Sequence, residues 1–376
     1  MSLMRNSLVA SGAIFACRLT GMAREIVYTS LFGATGVLDA FYTAFRIPNL
    51  LRDLFAEGAL SQSYTSVASK TREAEGDAAA WELTNKVATQ LSTLMVAIVT
   101  LGILFAGPIM EALYSGDHSV TDQLFATDLS RIMWPFIGFA SLSALVMGAL
   151  NMVGVFGLPM LASAAFNVTS IVLGLLIGWF IDPSFGPKAL YGFACGVTLG
   201  GMAQIAVQLP KLRRTGFRWK PNFQWNDPKI KKIWGLMLPS VLASGVTQFT
   251  IFINTGFALN LQKGSVTALT TAFRLWQLPV GLFGVATGMV VLPAVSRMMV
   301  GNGRKEVAAH IAKGLRLVAF FAVPAFLILY ILGTEFVSSV YQWGRFNQDA
   351  VRYTGEVLGA YSLGLLGYAG TKVVQP

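Results

Sequence analysis

Charge is what this sequence has least of. Only 12% of its 376 residues are Asp, Glu, Lys or Arg, while 54% are hydrophobic. A soluble domain carries about 25% charged residues, so a water-soluble globule is excluded. Cysteine is nearly absent. Cys17 and Cys195 both lie in apolar stretches, which speaks against a disulfide framework and for small buried thiols. The two histidines, His118 and His310, are far apart and sit in no ligand-like cluster. No metal or cofactor is therefore implied. Also missing is the ten-residue alternation of a membrane β-barrel.

What the sequence does have is repeated apolar runs of about 20 residues, the length that crosses a bilayer core. Helices are expected, because lipid cannot satisfy exposed backbone groups. The runs predict ten spans, over 7–32, 38–68, 87–113, 131–152, 159–181, 189–210, 233–259, 265–296, 314–333 and 355–376. Arg5 followed by Leu8–Ala16 has the outline of a signal peptide. Arg18 and Arg24 follow at once, however, so it is read as an uncleaved first span.

The net charge of +10 raises nucleic-acid binding, but position argues against it. With the N-terminus in the cytoplasm, sixteen Lys and Arg fall in inner loops and four in outer loops. This is the positive-inside pattern of a multi-pass cytoplasmic-membrane protein. The richest inner segment, 211–232, holds eight basic residues against Asp227 alone. It reads as a basic cytoplasmic linker facing anionic headgroups. The expected organisation is an N-lobe of six helices (1–211), a linker (212–232) and a partial C-lobe of about four helices (233–376).

An internal repeat supports two lobes. Thr43-Ala44-Phe45-Arg46 recurs 228 residues later as Thr271-Ala272-Phe273-Arg274. At the same spacing Leu50, Leu54, Phe55 and Val67 match Leu278, Leu282, Phe283 and Val295. Six spans separate the copies, so both run the same way. Parallel repeats of this kind build transporters with the substrate site between halves. Gly174/Gly178 and Gly192/Gly196/Gly200 read as close helix packing.

Charges inside apolar spans cost roughly 2.5–3.5 kcal/mol each on insertion scales and tend to face a cavity or a partner. Span one carries Arg18, Arg24 and Glu25; span two carries Asp39, Arg46, Arg52, Asp53 and Glu57; span eight carries Arg274. Helical spacing puts Arg18 with Glu25 and Arg46 with Asp53, each pair on one face, and turns Arg24 and Arg52 elsewhere. Two readings stand side by side: internal ion pairing, or an anion site. Arginine suits the second, because it stays charged when desolvated and grips phosphate bidentately.

At these residues the sequence resembles the lipid II flippase family (MurJ/MviN) of the multidrug/oligosaccharidyl-lipid/polysaccharide exporter superfamily. The resemblance rests on Arg18–Glu25, Phe32-Gly33-Ala34, Asp39-Ala40-Phe41, Ala44–Arg52 and Ala56–Ser61. In the second half it rests on Arg274, Gln277-Leu278-Pro279, Gly281–Ala286, Leu292-Pro293 and Tyr341–Phe346. It implies an all-α membrane protein with two pseudo-symmetric lobes around a central cationic cavity. It also implies alternating access that carries lipid II, an undecaprenyl-diphosphate-linked muropeptide, from the inner to the outer leaflet. Arg18, Arg24, Arg52 and Arg274 would then bind the diphosphate. Glu25, Asp39, Arg46, Asp53 and Glu57 would be gate or ion-pair residues. Membrane lipids and the cell-wall synthesis machinery are the further partners implied. Family members have fourteen spans, so a C-terminally truncated member is expected.

Other functions remain open at this point. An exporter of another polyprenyl-linked oligosaccharide fits the same electrostatics, and a non-transporting scaffold suits a shortened chain. A cationic-drug exporter would need a carboxylate-rich cavity. A membrane enzyme would need a nucleophile–base or metal constellation, and the sequence offers no convincing one.

Overall fold

The computed structural model describes residues 2–55, 59–114, 119–279 and 304–374. Every element assigned among them is helical: α1 (Ser2–Phe32), α2 (Gly36–Phe55), α3 (Ala59–Glu75), α4 (Asp77–Leu113), α5 (Val120–Met133), α6 (Pro135–Met152), α7 (Gly157–Ile181), α8 (Ala189–Arg214), α9 (Pro228–Leu259), α10 (Ser265–Pro279), α11 (Arg304–Ile331), α12 (Gly333–Tyr341), α13 (Gln348–Leu363) and α14 (Leu365–Val374). Within the expected second span, α2 and α3 cover the described residues. The expected fourth span starts earlier, at Val120, where Ser119 caps α5 by accepting the Asp122 N–H at 3.1 Å. Its helix is interrupted at Trp134 because Pro135, the first residue of α6, has no N–H to give the preceding turn. Among the described residues six stretches are long and apolar enough to cross a membrane: 77–113, 120–152, 157–181, 189–214, 228–259 and 311–331. α1 and α2, which carry most of the charges expected inside spans, fall outside that set. The expected eighth span is described only as far as Pro279.

The chain divides into two compact units, one of Met1–Val27 with Gly36–Lys263 and one of Tyr28–Thr35 with Gly264–Pro376. In the first unit α7 and α8 pack most closely, through glycine. A methyl group on Gly196 would sit 2.8 Å from the Ser170 carbonyl oxygen and 2.9 Å from Gly174 N. The helices therefore touch backbone to backbone, as small-residue spacing predicts. A core of Leu60, Tyr64, Leu91, Ile137 and Leu150 joins α3, α4 and α6, with Trp134 packed into it from the turn between α5 and α6. The buried Tyr64 hydroxyl finds its partner in Thr84 Oγ1 at 2.6 Å.

The basic segment 212–232, expected as a linker between lobes, lies within the first unit. Its backbone is bound by a polar row on α4. Asn85 donates to the Arg218 carbonyl (3.1 Å) and accepts the Lys220 N–H (3.0 Å); Thr89 accepts from Asn222 N–H (3.0 Å); Gln90 donates to the Gln224 carbonyl (3.2 Å). The contact-defined division comes later, at Lys263/Gly264, so α9 packs with the first unit against α2, α3 and α4.

In the second unit the end of α1 docks on the turn after α12. Arg345 N–H donates to the Ser30 carbonyl at 2.7 Å. Gly33 (φ +67°) and Gly344 (φ +57°) adopt the left-handed backbone there, which L side chains avoid. A methyl group on Gly33 would lie 2.7 Å from the Arg345 carbonyl oxygen. The Phe32-Gly33-Ala34 and Tyr341–Phe346 segments, singled out separately in sequence, thus form one joint.

Candidate functional site

α2 presents Asp39, Tyr42, Arg46, Asn49 and Asp53 at spacings of three and four, so they form one polar stripe along the helix. Glu25 of α1 is wholly buried and accepts a short hydrogen bond from the Tyr42 hydroxyl. Asp39, 5% exposed, is close enough to Tyr114 at the end of α4 for its charge to act on that phenol. At the other end of the stripe Asp53 collects three donors. Arg52 pairs with its Oδ1 through both Nε, at 2.9 Å, and Nη2. Gln248 of α9 and Asn49 donate to its Oδ2 at 3.1 and 3.4 Å.

This changes one expectation drawn from helical spacing. Arg52 leaves the backbone on a different face from Asp53, yet its side chain is long enough to fold back onto the neighbouring carboxylate. Arg18 and Glu25 also part company despite their common face: Arg18 is exposed while Glu25 is buried. Seven residues of helix put them about 10 Å apart along the axis, where different neighbours cover them.

Arg24 is only 7% exposed, and its guanidinium carbon lies 4.9 Å from the centroid of the Phe166 ring on α7. That ring leans on Phe136 of α6 (5.1 Å), which leans on Phe45 of α2 (5.4 Å). A cation over the face of such a ring is attracted by its negative quadrupole. Beside it the Asn167 amide donates to the Cys17 carbonyl and to Thr20 Oγ1, both at 3.3 Å, tying α7 to α1. Phe166, Asn167, Tyr42 and Gln248 were not among the sequence-derived site residues. Tyr42 was visible as a member of the α2 stripe; Asn167 and Gln248 were visible only as polar residues inside apolar spans. Phe166 carried no signal at all.

Arg274 belongs to the second unit and is half-buried on α10. The repeat that singled it out holds in three dimensions. Thr43 and Thr271 are both wholly buried, as are Ala44 and Ala272. Phe45 and Phe273 are half-buried against aromatic neighbours, Phe136 in one case and Trp276 and Tyr361 in the other. Arg46 and Arg274 are both half-buried. By the repeat, then, Arg274 is the counterpart of Arg46 rather than of Arg24 or Arg52. Glu57, and the Gly281–Ala286 and Leu292-Pro293 segments, lie outside the described residues.

Comparison with known proteins bears on the family and the fold. The family profile described as lipid II flippase MurJ matches residues 28–376. A lipid II flippase MurJ of Burkholderia cenocepacia is 34% identical over all of this chain and 73% of its own length. A probable lipid II flippase MurJ of Vibrio cholerae is 32% identical over all of this chain and 72% of its own. Among solved structures, a lipid II flippase MurJ in an inward closed conformation superposes with a TM-score of 0.81 at 25% identity, covering 98% of this chain and 74% of that one. An inward-facing MATE-family multidrug transporter of the MOP superfamily shares the fold, with a TM-score of 0.67 at 14% identity, over 98% of this chain and 84% of that one. This chain, helical in every element assigned among its described residues and matched along its whole length by these relatives, belongs to the lipid II flippase MurJ family.

Proposed function

We propose that this protein translocates lipid II from the inner to the outer leaflet of the bacterial cytoplasmic membrane by alternating access, without a covalent step. Arg24 carries the reading. A guanidinium 7% exposed, seated on the Phe166 ring, is a costly thing to keep among apolar helices. A planar two-pronged donor suits a diphosphate. Arg18 and Arg52 join Arg24 as the first unit's contacts, and Arg274 is the second unit's candidate during the transport cycle. Arg52 is held by Asp53, and an arriving diphosphate competes with that carboxylate for the same guanidinium. Glu25, Asp39, Arg46, Asp53 and Glu57 serve as ion-pair and gating groups. The N-terminus is cytoplasmic in this reading. A cysteine at Gln348 should then label with an impermeant reagent in intact cells lacking Cys17 and Cys195, and one at Asn222 should not.

The test is substitution of Arg24, Arg52 and Arg274, each to Lys and to Ala, with membrane insertion and thermal stability checked first. Lysine keeps the charge and loses the fork, so binding of lipid II should weaken with Lys and weaken further with Ala. Normal binding and flipping by well-folded Ala variants would overturn the assignment and leave the arginines as structural ion-pair members.

A further inference from the structure

The strap formed by residues 217–225 is fixed at both ends and along its length. Phe217, 8% exposed, wedges against Trp81 at 5.6 Å between ring centroids. The α4 side chains Asn85, Thr89 and Gln90 bind its backbone as described above. Beyond it, Asp227 caps α9 by accepting the Lys229 N–H at 2.8 Å and takes an ion pair from Lys86 at 2.9 Å. The acids near the strap are thereby engaged: Asp227 and Glu82 by Lys86, and Glu75 by Lys229 at 2.6 Å.

What the strap turns outward is a comb of aromatic and basic side chains. Trp219, Phe223 and Trp225 are 50%, 64% and 54% exposed. Arg218, Lys220, Lys231 and Lys232 are exposed as well, and among the described residues none of these four enters an ion pair. The strap joins α8 to α9, two helices long and apolar enough to cross a membrane, so it emerges where acyl chains give way to headgroups. Indole rings favour that boundary, and basic side chains there gain from anionic headgroups. We infer that the 217–225 strap, with Lys231 and Lys232, is a built binding edge for anionic phospholipid headgroups in the leaflet on its side of the membrane. Trp219 and Trp225 enter the boundary and the four basic side chains meet the phosphates. Because α4 already holds the backbone extended, little ordering cost is left for lipid binding. The inference is independent of which substrate the protein carries.

The test uses the full chain in nanodiscs of mixed phosphatidylcholine and phosphatidylglycerol. Bromine is placed on the acyl chains of one lipid or the other, and emission is compared with that of Trp219→Phe/Trp225→Phe. The difference reports the lipids beside the two indoles. It should be quenched more strongly when phosphatidylglycerol carries the bromine. In Arg218→Gln/Lys220→Gln/Lys231→Gln/Lys232→Gln that preference should fall, by up to about fivefold for each charge removed. Asn85→Ala/Thr89→Ala, which releases the strap and keeps every charge, should lower it too. Equal quenching by the two lipids in the parent chain would overturn the proposal, as would a preference that survives the charge substitutions. Emission open to aqueous acrylamide and blind to both brominated lipids would also overturn it, and would mark the strap as a surface for a soluble acidic partner.

Discussion

Gly192→Ala adds a single methyl group where α8 meets α7, and the geometry leaves no room for it. The new Cβ would stand 2.6 Å from the Gly178 Cα and 2.7 Å from the Ile177 carbonyl carbon. The Gly178 nitrogen is nearer still, at 2.2 Å; ordinary contact begins at about 3.3–3.5 Å, so the helices must separate by roughly 1 Å. The obstacles are backbone atoms, and no rotamer change relieves them. A gap of that size forfeits about a quarter to a half of the dispersion energy at neighbouring contacts, among them Gly174 with Phe193 and Gly196 with Ser170. Overpacking costs about 1–3 kcal/mol, and a backbone clash belongs at the upper end. Alanine returns about 1 kcal/mol of helix propensity. A net loss of about 2 kcal/mol follows, roughly thirtyfold in the folding equilibrium. Cys195, half-buried on the same helix, supplies the assay. Detergent-solubilised protein lacking Cys17 is heated with a thiol-reactive fluorogenic dye, and labelling should begin several degrees lower in the variant. The control is Gly107→Ala, where a methyl group meets nothing within 4 Å and the melting temperature should hold or rise. Equal melting of the two variants would refute the claim that α7 and α8 touch through their backbones.

Phe166→Leu keeps an apolar side chain under Arg24 and removes the ring face, worth about 0.5–2 kcal/mol for a partly desolvated cation. Lipid II binding measured on inserted, folded protein should weaken by roughly two- to thirtyfold; unchanged affinity would separate Phe166 from the site. Asp227 gives a pH prediction. Burial acts to raise its pKa, but the Lys86 ammonium and the Lys229 N–H outweigh it and hold the carboxyl below its usual range. A depressed carboxyl stabilises the fold above its unfolded value, near 3.9, and that contribution disappears as pH falls through the folded value. Amide protection at Lys220 and Asn222, measured against the intrinsic exchange rate at each pH, should therefore fall once the pH drops below about 4. Asp227→Asn should show the lowered protection already at neutral pH; full protection there would show that the strap does not depend on this ion pair.

The helical class, the membrane setting and the residues worth watching were legible in one dimension, because each follows from local chemistry. Apolar runs must be helices where water is excluded. Glycines four apart on two helices can only mean close approach, and the contacts of Gly174, Gly178, Gly192, Gly196 and Gly200 agree. The repeat of Thr43–Arg46 in Thr271–Arg274 foretold matching environments, since the same four residues at the same helical phase need the same neighbours. Other features depend on groups distant in sequence. Phe166 under Arg24, Gln248 on Asp53, and the Gly33–Gly344 joint pair residues between about 140 and 310 positions apart, which no helical period encodes. The basic segment after α8 reads in sequence as a basic cytoplasmic linker because its composition is that of one. Contacts from distant residues hold it to the first unit: the row Asn85, Thr89 and Gln90 on its backbone, Trp81 against Phe217, and Lys86 on Asp227. Arg52 makes the same point at the scale of one side chain. Its helical phase turned it away from Asp53, and a flexible stem brought its charge back, since a half-buried guanidinium gains from a carboxylate within reach.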